Sequence, residues 1–254
     1  MPSDSGERLR FPSGLVQPQG SFRFSMDALL LGAFARSCRP DWSSLLDLGC
    51  GCGAVAFAVW LLSPRPEEEP PRRILGLDLQ DDLLEAARQN ASLLGCADIF
   101  TAAPADLRQE MTREREAFDL VTANPPYHLT GKGRLPLSPS RRLALHGDEN
   151  TLRAFLRSAR AAMSGSGAFC MIFPFSRRDE LLAALKDCGL YPVRLLPVQT
   201  GPCRAPRLIL LSAGTKPAEK LTSTEERPLI LRADKSSLDL PRLEFKENEE
   251  PWLP

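Results

Sequence analysis

The sequence carries no net charge: 32 lysines and arginines balance 32 aspartates and glutamates over 254 residues. Without an overall field the molecule cannot gather a polyanion at long range, so a nucleic-acid partner has to meet a local basic patch. Long apolar runs are also missing. The longest, 54–62, falls far short of the roughly 20 residues that span a bilayer as a helix, so no membrane span is expected. The first 25 residues are polar and carry Gly and Pro, where a secretory leader would carry an apolar stretch. No internal repeat is present, which excludes solenoids and propellers. The seven cysteines (Cys38, Cys50, Cys52, Cys96, Cys170, Cys188, Cys203) are odd in number and never spaced CxxC. Cys50 and Cys52 form a CxC, but no second Cys or His pair stands at zinc spacing, so no metal is expected. Reduced thiols in a cytoplasmic protein are the expectation.

What is present is ordinary for a soluble globular chain, with 43% apolar and 25% charged residues. The length suits one sizeable α/β domain with a short appendage. Residues 1–24 form a Gly- and Pro-rich N-terminal extension, and 25–35 reads as an amphipathic helix capped by Ser or Asp. Buried-strand patterns follow at 45–48, 74–77, 99–102, 120–123 and 169–173. Helical periodicity fills the gaps at 55–62, 81–94, 151–163 and 177–188. Such alternation predicts right-handed βαβ crossovers and a parallel sheet covered on both faces. The runs 190–198 and 208–212 have no helix between them and are expected to pair antiparallel. A parallel sheet closed by a late hairpin is the layout of the Rossmann-like class I methyltransferase fold, an α/β fold with a mostly parallel seven-stranded sheet. That domain is expected over 25–215. Residues 216–254 then supply a polar connector, a closing strand near 229–231 and a flexible acidic tail.

At 45–53 the sequence LLDLGCGCG places a glycine-rich turn between a strand and a helix. Gly49, Gly51 and Gly53 let the backbone turn tightly and lie against a ligand where a Cβ would clash. The pattern is DxGxGxG, whereas dinucleotide sites read GxGxxG. Asp47 ahead of the first glycine suits a cationic sulfonium amino acid and would repel a pyrophosphate. A plain tight βα turn is the alternative. Asp78 ends the next strand, where a carboxylate accepts bonds from ribose hydroxyls or caps the helix beginning near residue 81. Asp106 lies just past the third strand. It either accepts the amino group of the cofactor adenine or stands as a solvated loop acid. All three turns fall on the carboxyl edge of one sheet, where open α/β folds bind ligands.

The run FDLVTANPPY at 118–127 carries the chemistry. The lone pair of an adenine or amide NH2 is delocalised and a poor nucleophile. The Asn124 side-chain oxygen and the Pro125 carbonyl can each accept one of its protons, which localises the lone pair and stabilises charge as a methyl group arrives. Pro125 and Pro126 stiffen the turn before substrate enters, and Tyr127 offers a flat face for an unpaired base. His128 reads as a surface or base-contacting residue more than as a base.

These motifs together resemble the tRNA1(Val) adenine N6-methyltransferases over most of the chain. SMDALLLGAF at 25–34 is similar to the helix ahead of that family's glycine loop, and Asp27 falls on the acidic position that closes over the cofactor. Asp47, the loop 49–53, Asp78 and NPPY at 124–127 fall on its cofactor and substrate motifs. Arg142 matches an Arg before the next helix, and RPLILR at 227–232 resembles the closing strand. Cys50 and Cys52 depart from the usual Ala or Ser, tail aromatics are sparse, and the connector is longer. These departures bear on which tRNA is modified, not on methyl transfer.

The resemblance implies S-adenosylmethionine as cofactor and a tRNA adenine as substrate; a monomer is expected. Lys132, Arg134, Arg141 and Arg142 lie in 128–142 with no acid among them. They form a candidate phosphate grip, or else a solvated loop, and Arg204 and Arg207 add to it on the late hairpin. Other readings stay open: a protein glutamine N5-methyltransferase, which usually has a helical domain ahead of the glycine loop, and an rRNA adenine or guanine N-methyltransferase. A DNA adenine methyltransferase would need a larger sequence-reading insert. A non-catalytic binding module is opposed by the intact Asp47, Asp78 and NPPY.

Overall fold

Eight strands form one sheet in the order β3-β2-β1-β4-β5-β7-β6-β8 in a computed structural model of the chain. The structure describes residues 11, 12, 14–18, 26–63, 73–109, 117–126, 149–201, 203–217 and 227–230. The strands are β1 (Ser44–Leu48), β2 (Arg73–Asp78), β3 (Phe100–Pro104), β4 (Phe118–Ala123), β5 (Met163–Pro174), β6 (Tyr191–Gln199), β7 (Leu208–Gly214) and β8 (Leu229–Ile230). Among the described residues five α-helices accompany them, α1 (Met26–Cys38) ahead of β1, then α2 (Ala54–Leu62), α3 (Asp81–Leu93), α4 (Glu149–Ala162) and α5 (Arg178–Asp187).

The chain runs outward from β1 through β2 to β3, then returns to place β4 against the other side of β1. Strand order therefore reverses between β1 and β4, and the crevice at their carboxyl ends is where such sheets bind ligands. Every neighbouring pair is parallel except those made by β7, which runs antiparallel to both β5 and β6.

Alternation along each strand decides the two faces. Leu45, Leu120, Cys170 and Ile172 face a core shared with α1, α2 and α3. Leu46, Val121, Phe169, Met171 and Phe173 face a second core with α4 and α5. The expected elements are all present, with two differences. The sheet has eight strands, because the closing segment pairs Leu229 with Val198 on the free edge of β6 and buries Leu229 there. β5 begins at Met163 rather than at 169, because the Gly- and Ser-rich stretch 164–167 joins β4 through a register shift, Phe118 opposite Met163 and Leu120 opposite Ala168. Among the described residues no helix is long and apolar enough to cross a membrane, and no cluster of His, Cys, Asp or Glu is arranged to hold a metal ion.

Candidate functional site

The turn leaving β1 is held open by its own backbone. Gly49, Gly51 and Gly53 all take positive φ, at 66°, 55° and 88°, a region that other residues enter only with strain. The three differ in what surrounds them. A Cβ on Gly53 would stand 2.3 Å from the Phe57 ring, and one on Gly49 would stand 3.1 Å from Phe155 of α4. A Cβ on Gly51 would meet nothing within 4 Å. Among the described residues the turn is thus packed around a Cβ at both ends and open at Gly51, where a ligand could lie against its backbone.

Four hydrogen bonds fix that shape. The Cys50 N–H donates to the Leu77 carbonyl at 2.9 Å and the Gly53 N–H to the Cys50 carbonyl at 2.9 Å. The Gly51 N–H donates to Oδ2 of Asp78 at 2.9 Å, and the Asn90 side chain donates to the Cys52 carbonyl at 3.0 Å. Asp78 serves a second turn as well: its Oδ1 accepts from the Gln80 N–H at 3.0 Å and its carbonyl from the Ala105 N–H at 2.9 Å. Burial pushes the Asp78 carboxyl up, against the pull of the Gln80, Gly51 and Leu79 amides. Asp78 therefore ties together the turns after β1, β2 and β3. Each of its oxygens still has a lone pair to offer a hydroxyl.

Asp47 lies beneath the loop, only 1% exposed. Its Oδ1 accepts a 2.7 Å hydrogen bond from the Thr122 hydroxyl on β4. Burial raises its pKa to about 7, against the Thr122 hydroxyl and the Ala56 N–H of α2, with the Asp78 charge adding to the rise. The same burial, with the Asp47 and Asp78 charges, pushes the Cys50 and Cys52 thiols up, so both are packing groups rather than nucleophiles.

Asp106 sits on the same edge but faces Arg108, whose Nε and Nη2 donate to its two oxygens at 2.8 and 2.7 Å. The Arg108 guanidinium holds its carboxyl below the usual range, and an adenine amino group would have to share the carboxylate with it. Asp27 is half-buried in the first turn of α1, a helix that packs along α2.

The turn Asn124, Pro125 and Pro126 begins where β4 ends. Leu48 and Ala123 are register partners, so Asn124 follows β4 at the level where Gly49 follows β1, across the reversal in strand order. Asn124 and Pro126 are half-buried and Pro125 is buried. Tyr127, His128, Lys132, Arg134, Arg141 and Arg142 lie outside the described residues. Arg204 and Arg207 are exposed on the connection from β6 to β7. Because β6 runs parallel to the strands that precede it, that connection stands on the same carboxyl edge as Asn124.

Two residues were not singled out by sequence reasoning, Thr122 and Asn90. Thr122 sits two positions before Asn124 inside a strand, where a hydroxyl gives no pattern. Asn90 did leave a signal: it is a polar residue on the apolar face of α3, among Leu83, Leu84, Ala86, Ala87 and Ala91.

The arrangement suits a cofactor that carries a ribose and a cationic amino acid. It has a glycine backbone open at Gly51, a half-buried carboxylate at the end of β2 and a buried carboxylate beneath the loop. A methyltransferase-domain family model matches residues 41–187. A tRNA1(Val) (adenine(37)-N6)-methyltransferase of Tolumonas auensis is 29% identical over 216 residues, 85% of this chain and 84% of its own length. One of the same name from Parabacteroides distasonis is 26% identical over 204 residues, 80% of this chain and 81% of its own. Among solved structures, a predicted O-methyltransferase from Agrobacterium tumefaciens superposes with a TM-score of 0.61 at 22% identity, covering 88% of this chain and 100% of its own.

Proposed function

The chain belongs to the methyltransferase-domain family with S-adenosylmethionine as its cofactor, and from that premise we propose that it methylates the N6 amine of an adenine in tRNA. One observation carries the reading. The turn Asn124, Pro125 and Pro126 follows β4 level with the glycine loop after β1, which supports assigning the amine acceptors to this turn.

When bound, S-adenosylmethionine supplies a methyl group on a positively charged sulfur, an electrophile with a neutral leaving group. Gly49, Gly51 and Gly53 present backbone to it, Asp78 accepts from its ribose, and Asp47 places negative charge beneath it. Asp106 holds its adenine amino group, and Asp27 closes over it from α1. The Asn124 oxygen and the Pro125 carbonyl accept the two amine protons, which concentrates the lone pair on nitrogen. Pro126 keeps that geometry before substrate arrives, and Tyr127 stacks on the splayed base. A proton leaves the nitrogen for solvent once the bond has formed.

Lys132, Arg134, Arg141 and Arg142 grip the phosphates around that base, and the exposed Arg204 and Arg207 on the same edge support this. The methyltransferase unit spans 25–215, with 1–24 as an extension and 216–254 laying β8 on the sheet edge. In this reading the protein works as a monomer in the cytoplasm. The test is mass spectrometry of digested tRNA and rRNA from a strain lacking the protein. A lost N6-methyladenosine that returns on complementation supports the reading. A loss confined to methylglutamine in a protein, with RNA unchanged, overturns it.

A further inference from the structure

Asn90 joins two parts of the chain that are far apart in sequence. It is fully buried on α3, and its side-chain amide makes three hydrogen bonds. Its Oδ1 accepts from the Val16 N–H at 2.7 Å, while its Nδ2 donates to the Val16 carbonyl at 3.0 Å and to the Cys52 carbonyl at 3.0 Å. One amide thus pairs with both backbone groups of Val16, as a neighbouring strand would, and with the cofactor loop two residues short of α2. The flanks of Val16 agree with this. Phe11 and Leu15 are buried in the same core as α2 and α3, and the Leu15 N–H closes a turn onto the Pro12 carbonyl at 3.2 Å. The Val16 side chain itself is exposed.

The other anchors of the loop, through Leu77, Asp78 and Cys50, are all local to the sheet edge; among the bonds described above, only Asn90 reaches beyond it. An amide shared in this way transmits order in both directions. Anything that stills residues 51–53 strengthens its hold on 14–18, and a loose segment 14–18 leaves the Cys52 carbonyl less firmly held. Two sites joined by a shared element are coupled reciprocally.

We propose that Asn90 is a positioning residue for cofactor binding, and that its amide couples the ordering of residues 14–18 to occupancy of the glycine loop. The inference rests on the reading of the glycine loop as the S-adenosylmethionine site. Calorimetry of the wild-type protein with S-adenosylmethionine tests that reading separately.

The experiment is hydrogen exchange on the full chain, with and without S-adenosylmethionine, for wild type and Asn90→Ala. In wild type the cofactor should slow exchange in peptides covering 14–18 as well as 50–53. In Asn90→Ala the protection of 14–18 should be lost and should no longer respond to cofactor. The cofactor dissociation constant should rise roughly five- to tenfold, within the usual range of coupling between sites. The KM for cofactor should rise in step, while kcat at saturating cofactor stays within about twofold. A merely structural asparagine would lower thermal stability without moving the exchange of 14–18 in response to cofactor. Wild-type exchange at 14–18 that is indifferent to cofactor overturns the proposal, even if the variant fails to fold. Asn90→Ala with wild-type cofactor affinity overturns it as well.

Discussion

The Thr122 hydroxyl donates a 2.7 Å hydrogen bond to Oδ1 of Asp47, joining the strand that leads into Asn124 to the strand that leads into the glycine loop. The two residues are register partners on β4 and β1, and both are buried. A bond to the ionised carboxylate from a hydroxyl that water does not reach favours the charged form. It opposes the burial that raises the group.

This fixes a pH dependence. The Asp47 pKa rises from 3.8 to about 7 on folding. A folded value above the unfolded one favours folding below pH 3.8, and that contribution is lost as pH climbs through about 7. Across that window wild type should lose stability relative to Asp47→Asn by on the order of a few kcal/mol. Thr122→Val, which removes the bond to the charged form, should push the window higher. Thermal unfolding without cofactor from pH 4 to 8 measures the difference, and parallel profiles for wild type and Asp47→Asn would refute it.

Asp78 carries two roles, and one substitution removes both. Asp78→Ala withdraws the acceptor for the Gly51 N–H and the carboxylate assigned to the ribose. Cofactor binding should weaken by about 1.5–3 kcal/mol, the usual value for hydrogen bonds to a charged group. Calorimetry with unchanged affinity would remove Asp78 from the site.

Gly51 and Gly53 should separate function from stability. Gly53→Ala drives a methyl group to 2.3 Å from the Phe57 ring, so its cost should fall on the fold, about 1–3 kcal/mol as for overpacking. Gly51→Ala meets no protein atom within 4 Å and carries only the strain of its positive φ, about 1–2 kcal/mol. Its larger effect should be on cofactor affinity, because the new Cβ occupies space left for the ligand. Unfolding and calorimetry on the same pair of variants decide this. Equal loss of affinity in both would mean that the open side of the loop is not where the cofactor lies.

Asn124 is the sharpest test of chemistry. Asn124→Ala should leave folding and cofactor affinity near wild type and lower turnover on the order of a hundredfold, as for loss of one preorganised hydrogen-bonding group at a developing charge. Tyr127→Ala should act partly through substrate binding, since lost stacking costs about 1–3 kcal/mol per base, and Tyr127→Phe should be mild. Methyl transfer from labelled cofactor to unmodified tRNA measures both. Wild-type turnover by Asn124→Ala would end the amine-activation mechanism.

Neutralising Arg141 and Arg142 together should weaken RNA binding, flatten its dependence on salt and leave cofactor affinity alone. An unchanged salt slope would reduce the stretch 128–142 to a solvated loop.

Elements with a strong period were legible from the chain itself. The alternation of apolar runs with helical stretches located β1, β2, β3, β4, β6, β7 and the five described helices to within two or three residues, because burial on both faces of a sheet leaves few other solutions. The glycine loop, Asp78 and Asn124 were legible for a related reason: each stands at a strand end, and strand ends in a parallel sheet share one edge. The early part of β5 was not legible, because Ser164, Gly165, Ser166 and Gly167 are turn formers that only the neighbouring strand β4 holds extended.

By itself the sequence determined the order of elements and the position of each motif on a strand end, since both depend on local periodicity and residue type. Tertiary structure alone decided which groups share a bond across distance. Thr122 meets Asp47 because β1 and β4 are neighbours at the point where strand order reverses, and Asn90 reaches both Val16 and Cys52. A side chain buried among distant segments must satisfy its hydrogen bonds with whatever those segments bring, and no local pattern records that choice.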